Sequence, residues 1–187
     1  MSSLRAVLRS TRVLRYSVAA VSAAFLATAP AAHAAANQAP SPLSNPFLIA
    51  NANQHMVLCA DPNSTMATVE PLTLTIDPLC VWQQSGSGSD LVLYNAKKDM
   101  VLGINNPTAP FNGDPVDLMP YDSTNKYEQW AWGSPGGSGL LGVPLLFYPN
   151  SGYNLNAHNG QGKYLTITDE DQPTRQDQSW NTVSIAS

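Results

Sequence analysis

Beyond residue 46 the chain alternates short apolar runs with clusters of Gly, Pro, Asn and Asp, the runs recurring every eight to twelve residues. No apolar stripe at helical spacing persists for a useful length. That rhythm predicts an all-β sandwich or barrel. The runs also repeat as a set. Asn51 to Asp61, centred on Met56-Val57-Leu58, lies over Asn95 to Asn105, centred on Met100-Val101-Leu102, at a spacing of 44 residues. A third, weaker copy runs from Leu145 to His158, with Tyr148 set against Tyr94 and Leu155 against Leu102.

Each copy closes on a tryptophan. The three endings are Cys80-Val81-Trp82, Glu128-Gln129-Trp130 and Gln178-Ser179-Trp180, separated by 48 and 50 residues. Between the second strand and each tryptophan lies one more apolar run, at 69–76, 116–119 and 164–167. Each unit thus reads as four strands, and repeats at about 47–90, 91–142 and 143–187 give about twelve strands. That count predicts a β-trefoil, with six strands closing a short barrel and six capping it, so that no sheet edge is left open. The tryptophans are expected in the core, each ring N–H with a partner.

The first 34 residues follow a different pattern. Arg5, Arg9, Arg12 and Arg15 precede an apolar, small-residue stretch that ends at Ala32-His33-Ala34. This reads as a secretory signal peptide cleaved near Ala34. The alternative is a membrane anchor, but Pro30 and the alanine-rich composition fall short of the roughly 20 strongly apolar residues a span needs. Residues 35–46 are polar and Pro-rich and read as a flexible leader, with the globular domain at 47–187. Without the four leader arginines, five basic residues face thirteen acidic ones, a charge of −8. Such a balance argues against nucleic acid and against anionic membrane surfaces. The expected product is a secreted extracellular or periplasmic protein. Its two cysteines, Cys59 and Cys80, then sit in an oxidising compartment, where one disulfide is the default. Two buried free thiols are the alternative.

The repeats resemble ricin-B-type lectin domains, the trefoils whose repeats end in Gln-x-Trp. Gln178-Ser179-Trp180 carries that motif in full, while Cys80 and Glu128 replace its glutamine in the other copies. Cys59-Ala60-Asp61 matches the family's Cys-x-Asp, and the resemblance spans roughly residues 45–185. It implies an intra-repeat disulfide, for which Cys80 is the available partner of Cys59, although closer to the tryptophan than is usual. It also implies sugar binding. A sugar offers paired hydroxyls on one edge and C–H groups on one face, so its site needs a carboxylate or amide and a stacking ring.

The first copy supplies Asp61, but its third strand, read as Leu72–Ile76, has no ring. The second copy supplies Asn105 at the Asp position, then Tyr121, Asn125 and Gln129, with Met119 at the ring position and Tyr127 as a second aromatic. The third has His158 at the Asp position. Each polar residue has a plainer role open to it: Asp61 before Pro62-Asn63 and Asn105 before Asn106-Pro107 are natural turn formers.

No nucleophile elbow, zinc-ligand spacing or calcium-loop spacing is present, and Gly160-Gln161-Gly162-Lys163 reads as a hairpin turn. The sequence thus predicts a non-catalytic, cofactor-free and metal-free lectin with one or two weak sugar sites. The partners expected are glycans, with no nucleic acid and no membrane insertion. The alternative is a protein-binding trefoil, such as a protease inhibitor or the partner of a larger secreted toxin assembly. Its candidate loops, Gln84–Asp90 and Gly133–Gly142, read as flexible.

Overall fold

The computed structural model describes residues 39–52, 55–106, 110–134, 142–150, 152–157, 162–169 and 176–185. The signal-peptide reading and His158 lie outside them. Among the described residues no helix is long and apolar enough to cross a membrane.

Among the described residues, twelve strands form three four-stranded antiparallel sheets. The first repeat holds β1 (Phe47–Asn51), β2 (Met56–Ala60), β3 (Ala67–Pro71) and β4 (Gln83–Ser85). The second holds β5 (Val92–Asn95), β6 (Met100–Gly103), β7 (Asp117–Met119) and β8 (Trp130–Trp132). The third holds β9 (Leu145–Phe147), β10 (Tyr153–Asn156), β11 (Thr166–Asp169) and β12 (Trp180–Ser184). Each sheet straddles a repeat boundary. The orders are β12-β1-β2-β3, β4-β5-β6-β7 and β8-β9-β10-β11, so every repeat hands its last strand to the next. β12 returns to β1 over five register pairs, from Asn51↔Trp180 to Phe47↔Ser184, and closes the barrel.

The tryptophans occupy equivalent places. Trp82, Trp130 and Trp180 are fully buried. Their ring N–H groups donate to the carbonyls of Leu58, Leu102 and Leu155 at 2.8, 3.0 and 3.0 Å, one leucine in the second strand of each repeat. A buried indole N–H without an acceptor would carry a desolvation cost of about 1–3 kcal/mol. At the other end of the barrel the three hairpins bond to one another in a ring. Ala67 N–H donates to Val116, Val116 to Leu165, and Leu165 back to Ala67, each at 2.9 Å. All three residues are fully buried.

Three expectations change. The third strand of the first repeat is Ala67–Pro71, and 72–76 lies beyond it. Leu72 N–H still reaches the His55 carbonyl at 2.9 Å, but Pro71 offers no N–H and the Thr73 hydroxyl turns the chain by donating to the Thr75 carbonyl at 2.6 Å. Secondly, Tyr148 is not the counterpart of Tyr94. Tyr94 pairs with Gln83, one residue after Trp82, and the residue paired one after Trp130 is Leu146. Finally, the segment read as a flexible leader is docked at its end. Ser44 N–H donates to the Gln84 carbonyl at 2.8 Å, and Leu43 packs against Val92, Tyr94 and Val101.

Replacing any one of Trp82, Trp130 or Trp180 by Ala is expected to destabilise the domain by about 3–5 kcal/mol, the usual cost of a large core aromatic. Urea denaturation of the three variants checks this. A change below about 1 kcal/mol at one position would remove that tryptophan from the core.

Candidate functional site

The residue two places before each tryptophan fastens its repeat in a different way. In the first, Cys80 forms a disulfide with Cys59 of β2, and both are buried. In the second, the carboxylate of buried Glu128 accepts the Asp122 N–H at 3.1 Å and the Asn125 amide at 2.9 Å. Burial pushes the Glu128 carboxyl up to about 6, although both bonds favour its charged form. In the third, the Gln178 amide donates to the Thr168 hydroxyl at 2.8 Å and the Asp169 carbonyl at 3.0 Å.

The sequence-predicted sugar ligands are not gathered into one cluster. Asp61 accepts the Asn63 N–H at 2.7 Å, the turn-forming bond its Pro-Asn context foretells. Asn125 caps the 3-10 turn Lys126–Glu128 by accepting the Tyr127 N–H at 3.1 Å, and its amide is held by Glu128. Gln129 ends that turn, its N–H donating to the Lys126 carbonyl at 3.2 Å, and its side chain is half-buried. Tyr121 packs with Met119 and Leu43 over Val92, Tyr94 and Val101. Tyr127 is likewise engaged, stacked on Phe147 with ring centroids 6.4 Å apart.

Asn105 is placed differently. It is exposed, makes no hydrogen bond among the described residues, and lines a cavity of about 150 Å³ with Asn106, Asp114 and Asp117. The hairpin register puts Asp117 opposite Gly103, two residues before Asn105, which brings the carboxylate to the amide's side. Burial raises the Asp117 carboxyl above its usual range, against a weak bond from the Thr65 hydroxyl at 3.5 Å. Asp114 is buried and fixed by the Asn106 amide and the Phe111 N–H, both at 2.9 Å. Two amides and two carboxylates on one small concavity can accept from and donate to neighbouring hydroxyls. Asn106 and Asp114 escaped sequence reading because the loop and hairpin that juxtapose them carry no repeat motif.

No protein-family model and no curated protein matches the chain by sequence. Solved structures do match. The designed threefold-symmetric protein ThreeFoil superposes at a TM-score of 0.63 and 17% identity, over 76% of this chain and 100% of that one. A ricin B-like lectin from Macrolepiota procera, in complex with lactose, gives 0.60 at 16% identity, over 76% of this chain and 98% of the lectin. The chain has the β-trefoil fold of ricin B-like lectins. The same trefoil superposes on a GlcNAcα1-4Gal-releasing endo-β-galactosidase from Clostridium perfringens, at 0.62 and 18% identity. There it covers 76% of this chain but only 33% of the enzyme.

Of the two loops considered for protein binding, residues 135–141 of Gly133–Gly142 lie outside the described residues, while Gln84–Asp90 is described throughout. Gln84 and Ser85 belong to β4, and Gly88–Asp90 is a 3-10 turn closed by Asp90 N–H to the Ser87 carbonyl at 3.2 Å. Gly86 is required there. Its φ is +75°, and a Cβ on it would lie 2.2 Å from the Asp90 carbonyl oxygen.

Two predictions concern the trefoil's fastenings. The unreduced protein should weigh two hydrogen atoms less than the reduced form, and Cys80→Ala should cost about 3 kcal/mol, as expected for the loop the bridge closes. Free thiols titrating at both positions in unreduced, denatured protein would contradict it. For Glu128 the sign follows from a folded-state pKa of about 6 against an ordinary 4.5. The folded protein holds this proton more tightly than the unfolded chain, so stability is greatest below the ordinary value and falls as pH rises through the folded one. Glu128→Gln should therefore gain on the parent by about 1 kcal/mol between about pH 4 and about pH 8, measured by urea denaturation at both.

Proposed function

We propose that the protein is a secreted, non-catalytic carbohydrate-binding trefoil with one or two weak sugar sites. The observation that carries this reading is the second-repeat cavity, where the Asn105 amide stands beside the Asp114 and Asp117 carboxylates. Donors and acceptors lining one small concavity suit vicinal hydroxyls of a sugar edge. The stacking face is assigned to Phe111, an exposed ring whose backbone N–H donates to the Asp114 carboxylate and whose carbonyl accepts the Asp114 N–H. Tyr121, by contrast, is a packing residue. The ricin B-like architecture supports the same reading, one protein of similar fold having been solved with lactose. The basic, then apolar, then small-residue N-terminus supports secretion with cleavage near Ala34.

The test is an NMR titration of the isotopically labelled protein with lactose and with mannose-type oligosaccharides. A shallow single site is expected to bind near 1 mM, about −4 kcal/mol. Asn105→Ala, Asp117→Asn and Phe111→Ala should each weaken binding severalfold, since one hydrogen bond to a neutral hydroxyl contributes about 0.5–1.5 kcal/mol. Tyr121→Ala should instead lower stability. Asp61→Ala reports separately on the first repeat. If no sugar moves resonances near residues 105–117 or 61, the lectin reading fails.

A further inference from the structure

The three repeats do not cover their outer faces equally. In the second repeat, Val92, Tyr94 and Val101 form a small apolar patch outside the barrel, roofed by Leu43, Met119 and Tyr121. The first repeat has the equivalent patch in Leu48, Val57 and the Cys59–Cys80 pair. Ala50, Val81 and Ile185 pack against it, but the side that Met119 and Tyr121 cover in the second repeat is left open. The register that sets Val69 on Leu118 puts Glu70 where the second repeat has Met119, and Leu72 where it has Tyr121. An open cavity of about 390 Å³ results, bounded by Leu72, Ile76, Leu79 and the disulfide.

The chemistry of this cavity is unlike that of the sugar-type concavity. No aromatic ring and no side-chain amide lines it. Its rim carries two carboxylates, Glu70 and Asp77. Neither has an ion-pair partner among the described residues. Asp77 spends one oxygen on the Leu79 N–H at 2.9 Å, which caps the 3-10 turn Pro78–Cys80. Beside the cavity the chain projects Leu72, Leu74 and Ile76, all exposed, on a turn braced by the Thr73 hydroxyl. A braced loop of this kind loses little freedom on binding. Thirteen acidic residues against nine basic ones also favour the approach of a cation.

We propose that this cavity receives an apolar side chain of a protein partner whose neighbouring residues are Lys or Arg. The side chain replaces the roof that Tyr121 provides in the second repeat, and the cations meet Glu70 and Asp77. An anionic lipid surface is disfavoured by the same carboxylates. The inference is independent of the second-repeat sugar site, because that concavity and this cavity share no lining residue.

The experiment titrates the purified, isotopically labelled protein with three short capped peptides: Lys-Leu-Phe-Leu-Lys, Glu-Leu-Phe-Leu-Glu and Lys-Ser-Ser-Ser-Lys. The first should shift amides between residues 70 and 80 and bind about tenfold tighter than either comparator. Glu70→Gln combined with Asp77→Asn, which keeps a capping oxygen, should weaken it by roughly tenfold, as two partly exposed ion pairs would. Leu72→Tyr, which copies the second repeat's roof, should abolish binding while leaving the fold's spectrum intact. Equal binding of the acidic peptide, shifts confined elsewhere, or unchanged binding by Leu72→Tyr would overturn the proposal. So would absence of any shift, or capture of the protein by phosphatidylserine vesicles in preference to the basic peptide.

Discussion

Everything in this molecule hangs on closing a ring of buried backbone bonds. Ala67, Val116 and Leu165 are fully enclosed, so each N–H must find an acceptor inside the protein. Each finds it on the next hairpin, and the third bond returns to the first residue. Such a ring cannot be two-thirds made, because removing one hairpin orphans a donor on one side and an acceptor on the other. The side chains obey the same closure. Ala67, Val116 and Leu165 are small, medium and large at equivalent positions, and Ala60, Ile104 and Ala157 vary likewise. Unequal side chains at equivalent positions thus fill one shared core, which close packing permits.

Once the frame is closed, its fastenings are free to diverge. Cys80, Glu128 and Gln178 hold equivalent turns by a covalent bond, a buried carboxylate and an amide. The choice has local consequences. Glu128 organises Asp122 and Asn125 around itself, which ties the Asn125 amide into the turn. The disulfide needs no such polar shell, and the first repeat's flank is correspondingly apolar. Threefold architecture thus yields two concavities of opposite character, one of amides and carboxylates and one of aliphatic groups.

The repeats were legible because their markers are large and rigidly placed. A tryptophan that must bury its ring and satisfy its N–H tolerates few positions, so the three endings stand out of the sequence. Equivalence was harder in the third copy. Phe147 occupies the place of Asn51 and Asn95 there, and that change moved the alignment of Tyr148 by two residues. Over 72–76, alternation of Leu with Thr mimics a strand, and only Pro71 hints that the ladder has ended. The site was less legible still. Alternation shows that Tyr121 and Asn105 flank the same hairpin, but not that one lies over an apolar patch while the other opens onto a cavity. The Asp114 contribution depends on a turn at Phe111 whose residues repeat nowhere else in the chain.

The pairing of β1 with β12 sets a timetable for the chain. Strands joined by a register from Asn51↔Trp180 to Phe47↔Ser184 are the most distant in sequence of any two that touch. Bringing such remote segments together exacts a large loop entropy before any bond repays it, and contacts of this kind slow folding. During synthesis β1 therefore waits, its five register pairs with β12 unmade, until nearly all the rest has been translated. The first sheet to be started is the last to be finished. Until β12 is in place, β1 keeps one edge unpaired and the barrel cannot close.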